Sequence, residues 1–398
     1  MGQEDAQRGK YAHLYIDGIY WGVYNVHERA EASHYAAYNG GDSQELDALN
    51  GGSPNDGNLS SYNRMKSTVA SRDWDAIQQV LDVDNYIDWT IMQRFAGNRD
   101  LKGDGNWRAA GGGPDDLPWR FYSWDAERTL ESVNQNGAGG TADPPGLMSS
   151  LQNIEEFRLR FADRLQMHFF NDGALTPESN LERFNARTSE IENAMVAESA
   201  RWGDYRRDVH VRGTATLYTR DGHWATEVDR IRNDYLPQRS NIVMGQFRSL
   251  NLFPSLAAPL YRIGGSGQHG GEIAAGDQLS MTSTGTVYYT LDGSDPRAEG
   301  GAAVGIRYRP GIDPPLTLNT SATIRARSLT GSTWSAITEA TFVVVPASGS
   351  VVVSEINYNP HDPTATEVSQ IATLNNDCLL YTSPSPRDAT LSRMPSSA

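Results

Sequence analysis

Residues 97–110 read GNRDLKGDGNWRAA, a run rich in aspartate, asparagine and glycine between two apolar segments. The segment before it, near 84–96, has apolar residues at four-residue spacing, which predicts an amphipathic helix. These residues are Ile87, Ile91 and Phe95. The segment after it, PWRFYSW at 118–124, is short and aromatic, which predicts a strand that ends at Asp125. We therefore expect a polar loop held between a helix and a strand.

The loop and the strand end carry the residue types that phosphoryl transfer uses. That reaction needs an aspartate to orient the acceptor hydroxyl, with a side-chain amide and a second carboxylate to hold metal ions on the phosphates. Asp100, Asn106 and Asp125 supply these groups in that order. The asparagine follows Arg-Asp-Leu one residue later than in the protein-kinase signature.

The same residues also have a purely structural interpretation. Asp100 and Asp125 are typical turn or capping residues, and Asp104-Gly105-Asn106 is typical of a tight turn with positive φ. Glu127 is then a solvated side chain. The local pattern alone favours this interpretation, because loops of such composition are common and a motif match is a hypothesis.

Composition limits the classes of protein to which the chain can belong. Its 398 residues allow two or three domains, and 38% hydrophobic and 21% charged residues, with 38 glycines and 19 prolines, are typical of a loop-rich globular protein. No apolar run reaches the length of a membrane span. The net charge of -15 argues against nucleic-acid binding and is compatible with divalent cations.

Metal and nucleophile motifs built on cysteine, histidine or serine are missing from the sequence. The single cysteine, Cys378, excludes a disulfide within one chain and a zinc site on paired cysteines. The histidines are scattered without HExxH or a comparable spacing, and there is no GxSxG motif. The first residues show no signal-peptide pattern.

The flanks of the first half contain a hairpin and two loops. Residues 11–26 predict two strands around the turn Asp17-Gly18, a strong hairpin signal. Bulky side chains on both faces predict that this hairpin is at least half buried. Residues 39–60 and 131–146 are rich in turn-forming residues, which predicts irregular loops.

Three helices are predicted between 150 and 250. Asn153, with Glu156 three residues later, predicts the cap of the first helix. Its apolar stripe consists of Phe157, Phe161 and Leu165. Thr176-Pro177 predicts the start of the second helix, which is expected to run to about Arg201. The third spans about 224–249 and is interrupted at Pro237.

From Phe253 onward the sequence predicts strands and no helices. VYYTL at 287–291 leads into the turn Asp292-Gly293, and 321–327 and 340–345 have the composition of further strands. Several short strands separated by turn signals predict a small β-sandwich.

Six sequence blocks within residues 11–255 carry a family pattern. They are YIDGIYWGVYNVHERAEASHYAAYNGGD at 15–42, DNYIDWTIMQRFAGNRD at 84–100, PWRFYSWDAERTL at 118–130, EEFRLRFADRLQMHFFNDGALTP at 155–177, ESARWGD at 198–204 and PQR at 237–239. In this order they resemble the CotH (spore coat protein H) kinase family. The resemblance implies an α+β fold with an atypical protein-kinase-like domain, mostly its helical lobe. It also implies an enzyme that uses ATP and Mg²⁺ or Mn²⁺ to phosphorylate serine or threonine in proteins.

The resemblance gives roles to five residues. Asp100 is implied as the catalytic carboxylate, and Asn106 and Asp125 as metal ligands. Glu127, two residues after the second aspartate, is implied as a further metal ligand, and Glu28 as a nucleotide-binding residue at the junction of the lobes. Because the asparagine lies one residue later than in the family, either Asn106 is displaced or the loop absorbs a one-residue insertion.

The resemblances divide the chain into four segments. A partial CotH kinase-like domain is expected at 1–252, and a chitobiase/β-hexosaminidase C-terminal-like β-sandwich at 253–345, where VYYTLDGSDPR lies. A linker and the truncated start of a lamin-tail-like domain are expected at 346–377, because VVVSEINYNP resembles the first strand of such a domain. Residues 378–398 resemble a translated sequencing adapter.

These resemblances predict a secreted or surface bacterial kinase, outside the cell or in its envelope, that acts on a surface or coat protein. Cell-surface polysaccharide is a further expected partner through the sandwich, and neither nucleic acid nor a membrane span is expected. The strands with the nucleotide-binding loop and the phosphate-binding lysine are expected to be missing, together with a signal peptide. Little kinase activity is therefore expected of this fragment.

Two alternatives come from other classes. The shifted asparagine favours a catalytically inert, kinase-like surface protein that binds or acts as a scaffold. Carbohydrate processing is the third hypothesis, which only the sandwich module favours.

Overall fold

The computed structural model describes residues 1, 3–101, 103, 105–136, 146–210 and 216–345. The lamin-tail-like start expected at 346–377 and the adapter-like segment at 378–398 lie outside the described residues.

Helices and two small sheets make up the chain as far as residue 252. The strands are β1 Gly9–Ile16, β2 Ile19–His27, β3 Asp47–Asn50, β4 Ser53–Asp56, β5 Trp107–Gly112 and β6 Leu117–Ser123. The helices are α1 Ala32–Asn39, α2 Ser60–Ser71, α3 Trp74–Val80, α4 Val83–Ala96, α5 Met148–Leu151, α6 Glu155–Phe169, α7 Pro177–Ile191, α8 Ala194–Trp202, α9 Ala225–Arg230 and α10 Leu236–Ser249. Single π-helical turns lie at Tyr205–Val209, Arg220–Trp224 and Ile231–Tyr235.

Helix α4 has defined caps at both ends. The Asp82 carboxylate accepts a hydrogen bond from the Asn85 N–H at 2.9 Å in the first turn. The helix ends at Gly97, whose φ of 63° lies in the left-handed region that glycine adopts without strain. The helix predicted near 84–96 is therefore confirmed. Its buried stripe consists of Ile87, Ile91 and Phe95.

Strand β5 lies inside a four-stranded antiparallel sheet with the order β4-β3-β5-β6. The predicted aromatic strand is confirmed as β6, in which Ser123 lies opposite Trp107 of β5. The loop predicted over 39–60 is wrong in part, because this segment contains β3 and β4. Ala48 and Leu49 are fully buried where β3 pairs with β5, and a turn-rich composition does not show that pairing.

Helix α6 packs its predicted stripe into the main core. The stripe residues Phe157, Phe161 and Leu165 are all fully buried. The predicted cap at its start is wrong, because the Asn153 amide donates instead to the Ser149 carbonyl at 2.7 Å. Glu156 accepts hydrogen bonds from Arg297 of the second domain. Both capping side chains thus have other partners.

The second predicted helix starts as expected but is divided in two, because α7 ends at Ile191 and α8 begins at Ala194. Thr176 accepts a hydrogen bond from the Ser179 N–H at 3.3 Å, and Pro177 is the first helical residue. The predicted interruption at Pro237 takes the form of the π-helical turn Ile231–Tyr235 immediately before α10. Proline has no N–H to donate, and such a turn accommodates its position in a helix.

Strands β1 and β2 form the predicted hairpin. Asp17 and Gly18 at its turn have φ values of 51° and 78°. The predicted burial is wrong, since most of its side chains are exposed, among them Tyr15 at 60% and Ile19 at 62%. Within the described residues the main packing on the hairpin comes from α8, which lies against β2.

The second domain is a β-sandwich of two sheets. Its strands are β7 Leu260–Ile263, β8 Ser266–Gly267, β9 Gly271–Ala274, β10 Asp277–Thr282, β11 Thr286–Thr290, β12 Ile306–Tyr308, β13 Leu316–Leu318, β14 Ala322–Thr330, β15 Thr333–Trp334 and β16 Thr338–Val345. One sheet has the order β13-β10-β7-β8, and the other has β12-β11-β14-β16-β9 with β15 beside β14. Their inner faces form a separate core that includes Leu279, Val287, Ile324 and Phe342.

The architecture is thus the predicted α+β class, a domain of helices and small sheets followed by an all-β sandwich. None of the described helices is long and apolar enough to cross a membrane.

A buried ion-pair network joins the two domains. Arg327 of β14 is 1% exposed and donates to both carboxylate oxygens of Asp163 on α6, at 2.7 and 2.6 Å. It also donates to both oxygens of Asp295, at 2.8 and 2.6 Å. Beside it, Arg297 binds Glu156 of α6 at 2.6 Å. These contacts fix the sandwich against α6.

We predict that Arg327→Met lowers the free energy of unfolding by about 3–5 kcal/mol, because it leaves two carboxylates without their buried cation. Arg325→Met is the matched control on the same strand, since its pair with Glu339 is partly exposed and contributes less than about 1 kcal/mol. Urea denaturation followed by tryptophan fluorescence measures both. Equal effects of the two substitutions would contradict the role given to Arg327.

Candidate functional site

The loop after α4 lies beside the segment after β6. The Arg99 N–H donates to the Arg128 carbonyl at 2.9 Å, and the Leu130 N–H donates to the Ala96 carbonyl at 2.8 Å. These backbone hydrogen bonds hold the two polar segments together. The structure therefore brings the predicted loop and the predicted strand end to one place.

Asn106 reaches Asp100 across the loop. Its Nδ2 donates to the Asp100 backbone carbonyl at 2.8 Å and to the Asp100 carboxylate at 2.9 Å. Its φ of 64° is left-handed, which confirms the predicted positive φ in this turn. The Asn106 amide thus contacts the aspartate. The two outcomes left open by the sequence, a displaced Asn106 or a one-residue insertion in the loop, stay predictions.

A chain of buried amides links this loop to the end of β6. Gln93 of α4 donates from Nε2 to the Ser123 hydroxyl at 2.8 Å. Asn98, which is fully buried, donates from Nδ2 to the Gln93 side-chain Oε1 at 2.9 Å. The Asn98 side-chain oxygen accepts from the Asp100 N–H at 3.1 Å. This amide chain fixes the Asp100 backbone relative to the strand that precedes Asp125.

Asp125 follows Trp124 immediately after β6. Asp125 is exposed and has a φ of 48°, a backbone conformation that residues at tight turns adopt. The Trp124 ring stacks with the Arg108 guanidinium, whose carbon lies 4.0 Å from the ring centroid. The His27 ring packs against Trp124 at 5.7 Å between centroids. Glu127, the further predicted ligand, is also exposed.

Glu28 lies just after the hairpin, with both carboxylate oxygens hydrogen-bonded. One accepts from the Arg8 N–H at 2.9 Å and the other from the Tyr38 hydroxyl at 2.8 Å. The Arg8 N–H, followed by Tyr38, lowers the pKa of Glu28 below its usual range. The structure therefore places Glu28 at the junction of the hairpin and α1, close to His27 and hence to Trp124.

Arginines surround the loop. Glu131 lies between Arg128 and Arg99, and hydrogen bonds first from Arg128 and then from Arg99 lower its pKa to about 2. Arg108, 1% exposed, has its pKa lowered by burial and then by the charge of Arg29. These cations offset the carboxylates at the loop and favour anionic groups nearby.

The metal-ligand prediction combines an amide with carboxylates. No group of three histidine, cysteine, aspartate or glutamate side chains that could hold a metal occurs in the described residues. Asn106 uses its Nδ2 on Asp100, so the opposite amide atom, Oδ1, is an oxygen of the type that Mg²⁺ accepts. Mg²⁺ sites commonly use one or two protein oxygens with waters and substrate phosphates, and this donor set fits that chemistry.

Sequence reasoning missed the residues that support the loop. Arg239 is fully buried at the end of α4, where its Nε donates to the Phe95 carbonyl at 2.8 Å and its Nη2 donates to the Arg94 carbonyl. The Tyr235 hydroxyl also donates to Phe95, at 2.8 Å. A cation at a helix C-terminus stabilises it. The PQR block contains Arg239, but nothing in the local sequence indicates its partner.

The helix–loop–strand unit carries Asp100, Asn106 and Asp125 in the order expected of a kinase-like protein. The family model for CotH kinase protein matches residues 3–243, which is more than half of the chain. The chain therefore belongs to the CotH kinase family. The model for the chitobiase/beta-hexosaminidase C-terminal domain matches residues 268–339. Comparison with curated proteins gives no match.

We predict that Asn98→Ala lowers the free energy of unfolding by about 1–3 kcal/mol, because it removes the side-chain partner of the Asp100 N–H and of the buried Gln93 Oε1. Asn153→Ala, which removes an exposed hydrogen bond, is the control and changes stability by less than about 0.5 kcal/mol. Urea denaturation measures both variants. An Asn98→Ala protein as stable as the control would show that the amide chain is dispensable.

Proposed function

We propose that this protein is a metal-dependent kinase that transfers the γ-phosphoryl group of ATP to serine or threonine of a protein substrate. The observation that carries the proposal is the pair of hydrogen bonds from Asn106 to Asp100. A catalytic loop needs its amide and its carboxylate in one fixed arrangement, and these hydrogen bonds support such an arrangement for Asn106 and Asp100.

Each predicted site residue has a role in the proposal. The Asp100 carboxylate accepts the proton of the acceptor hydroxyl while the oxygen–phosphorus bond forms and the bond to ADP breaks. The Asn106 Oδ1 and the Asp125 carboxylate would hold Mg²⁺ or Mn²⁺, with Glu127 as a further ligand. The metal supplies positive charge to the phosphates when it is bound.

The nucleotide is proposed to lie at the junction where His27 contacts Trp124. Glu28 belongs to this junction, and its carboxylate holds the end of the hairpin through Arg8 and Tyr38. We therefore give Glu28 a part in shaping the nucleotide site.

The substrate and location follow from the domain content of the chain. We propose an extracellular or envelope location and a Ser/Thr-containing surface or coat protein as substrate. The sandwich, matched by the chitobiase/beta-hexosaminidase C-terminal domain model, supports cell-surface polysaccharide as a further partner.

Metal-dependent nucleotide binding, measured on the product of the complete reading frame, tests the proposal. We expect Asp125→Asn and Asn106→Ala each to weaken binding of Mn²⁺ with ATP by about tenfold or more, since even outer-shell changes cost about 10–100-fold in metal affinity. Calorimetry measures the dissociation constant. The control is Asp229→Asn, an exposed aspartate on α9 that pairs with Arg232.

Turnover is measured on the product of the complete reading frame, as γ-phosphate incorporated into serine or threonine. Nucleotide binding without incorporation would favour the inert binding or scaffold protein. No binding in the wild type, with Asp125→Asn behaving the same, would overturn the kinase proposal.

A further inference from the structure

Three side chains of α8 bind the outer edge of β2. The Glu198 carboxylate accepts from the Val23 N–H at 2.8 Å. The Trp202 indole N–H donates to the Trp21 carbonyl at 2.5 Å, and the Arg201 Nε donates to the Tyr20 carbonyl at 3.2 Å. We call Glu198, Arg201 and Trp202 the edge clamp. They form hydrogen bonds with backbone groups on the edge of β2 that faces away from β1.

Ring contacts strengthen the edge clamp. Trp21 and Trp202 pack edge to face, with centroids 5.2 Å apart and planes at 85°. The Arg201 guanidinium lies 4.2 Å from the Trp202 centroid and 5.0 Å from that of Trp21. Aromatic and cation–π contacts of this kind add to hydrogen bonds that are partly shielded from water.

Gly22 makes this close approach possible. Its φ is 147°, and a Cβ at this position would lie 2.9 Å from the Glu198 carboxylate oxygen and 3.2 Å from the Trp202 Nε1. A side chain there would therefore displace the Glu198 carboxylate and strain the backbone at this φ. The glycine between Trp21 and Val23 thus belongs to the same contact as the clamp residues.

The hairpin depends on this contact for its position. A two-stranded hairpin is marginally stable by itself, and most side chains of β1 and β2 are exposed. Its C-terminal end leads directly to His27, which packs on Trp124, and to Glu28. A hairpin released from α8 can therefore pivot at this end, beside Asp125.

We propose that the edge clamp positions the hairpin over Trp124 and so keeps the nucleotide site closed, with Glu198, Arg201 and Trp202 as positioning residues. This inference rests on the proposed function for its effect on nucleotide. Its structural part, the control of the hairpin by α8, stands on the contacts alone.

Four variants test the edge clamp in the 398-residue chain. Glu198→Ala removes the acceptor for Val23, Trp202→Phe removes the indole donor, and Gly22→Ala inserts a methyl group between the strand and the helix. Glu198→Gln retains a side-chain oxygen of similar reach and should restore wild-type behaviour. Val196→Ala, an exposed change on the same helix, is the control.

Two readouts test the structural part. Hydrogen exchange of peptides covering 19–27 should be about tenfold faster in Glu198→Ala, Trp202→Phe and Gly22→Ala than in the control. Hydroxyl-radical oxidation of Trp124 should rise about twofold in the same variants, because His27 leaves its ring. Wild-type exchange and oxidation in all three would overturn the proposal.

A third readout, on the product of the complete reading frame, tests the effect on the nucleotide site. The affinity for Mn²⁺ with ATP should fall by about fivefold in the clamp variants, whereas binding of Mn²⁺ alone should not change. A looser hairpin with wild-type ATP affinity would overturn the positioning role. If the wild type binds no ATP, the proposed function fails, and exchange and Trp124 oxidation still decide whether α8 controls the hairpin.

Discussion

The candidate site depends on the two hydrogen bonds that run from the Asn106 amide to Asp100. They close the polar loop on itself and turn the amide oxygen away from the aspartate. The loop can do this because both of its ends are fixed: Gly97 ends α4 in the left-handed conformation, and Trp107 starts β5 in a paired strand. Asn106 and Asp100 are therefore in hydrogen-bond contact, although the asparagine follows the aspartate one residue later than in the protein-kinase signature.

Side chains that form hydrogen bonds with buried backbone groups support this loop. Arg239 and Tyr235 donate to carbonyls at the end of α4, and Asn98 accepts from the Asp100 N–H. A buried polar group without a hydrogen-bond partner destabilises the folded state, so each of these side chains restricts the backbone group that it binds. The edge clamp acts on the hairpin in the same way, because side chains of α8 form hydrogen bonds with backbone groups at the edge of β2. Rigid support on both sides is what a site for positioned phosphoryl transfer needs.

The elements around the site were predictable because their signals are local. The stripe of α4, the aromatic strand β6 and the Asp17-Gly18 turn are each encoded within about ten residues. The predictions that failed depend on residues that are distant in the sequence. The hairpin is exposed rather than buried, and Glu156 pairs with Arg297 rather than capping its own helix. The order of the site residues and the positive φ at Asn106 were readable from the sequence. The hydrogen bond from Asn106 to Asp100 was not, because residue spacing does not show which side chains meet across a loop. The roles of Asp125, Glu127 and Glu28 in chemistry stay predictions.

The central claim is that Asn106 and Asp125 hold one metal ion on the nucleotide. A crystal structure with Mn²⁺ and a non-hydrolysable ATP analogue tests it most directly, because the anomalous signal of manganese locates the ion. We predict a peak about 2.0–2.3 Å from the Asn106 Oδ1 and from an Asp125 carboxylate oxygen, in contact with the phosphates. A bound nucleotide whose manganese lies away from both residues would contradict the account.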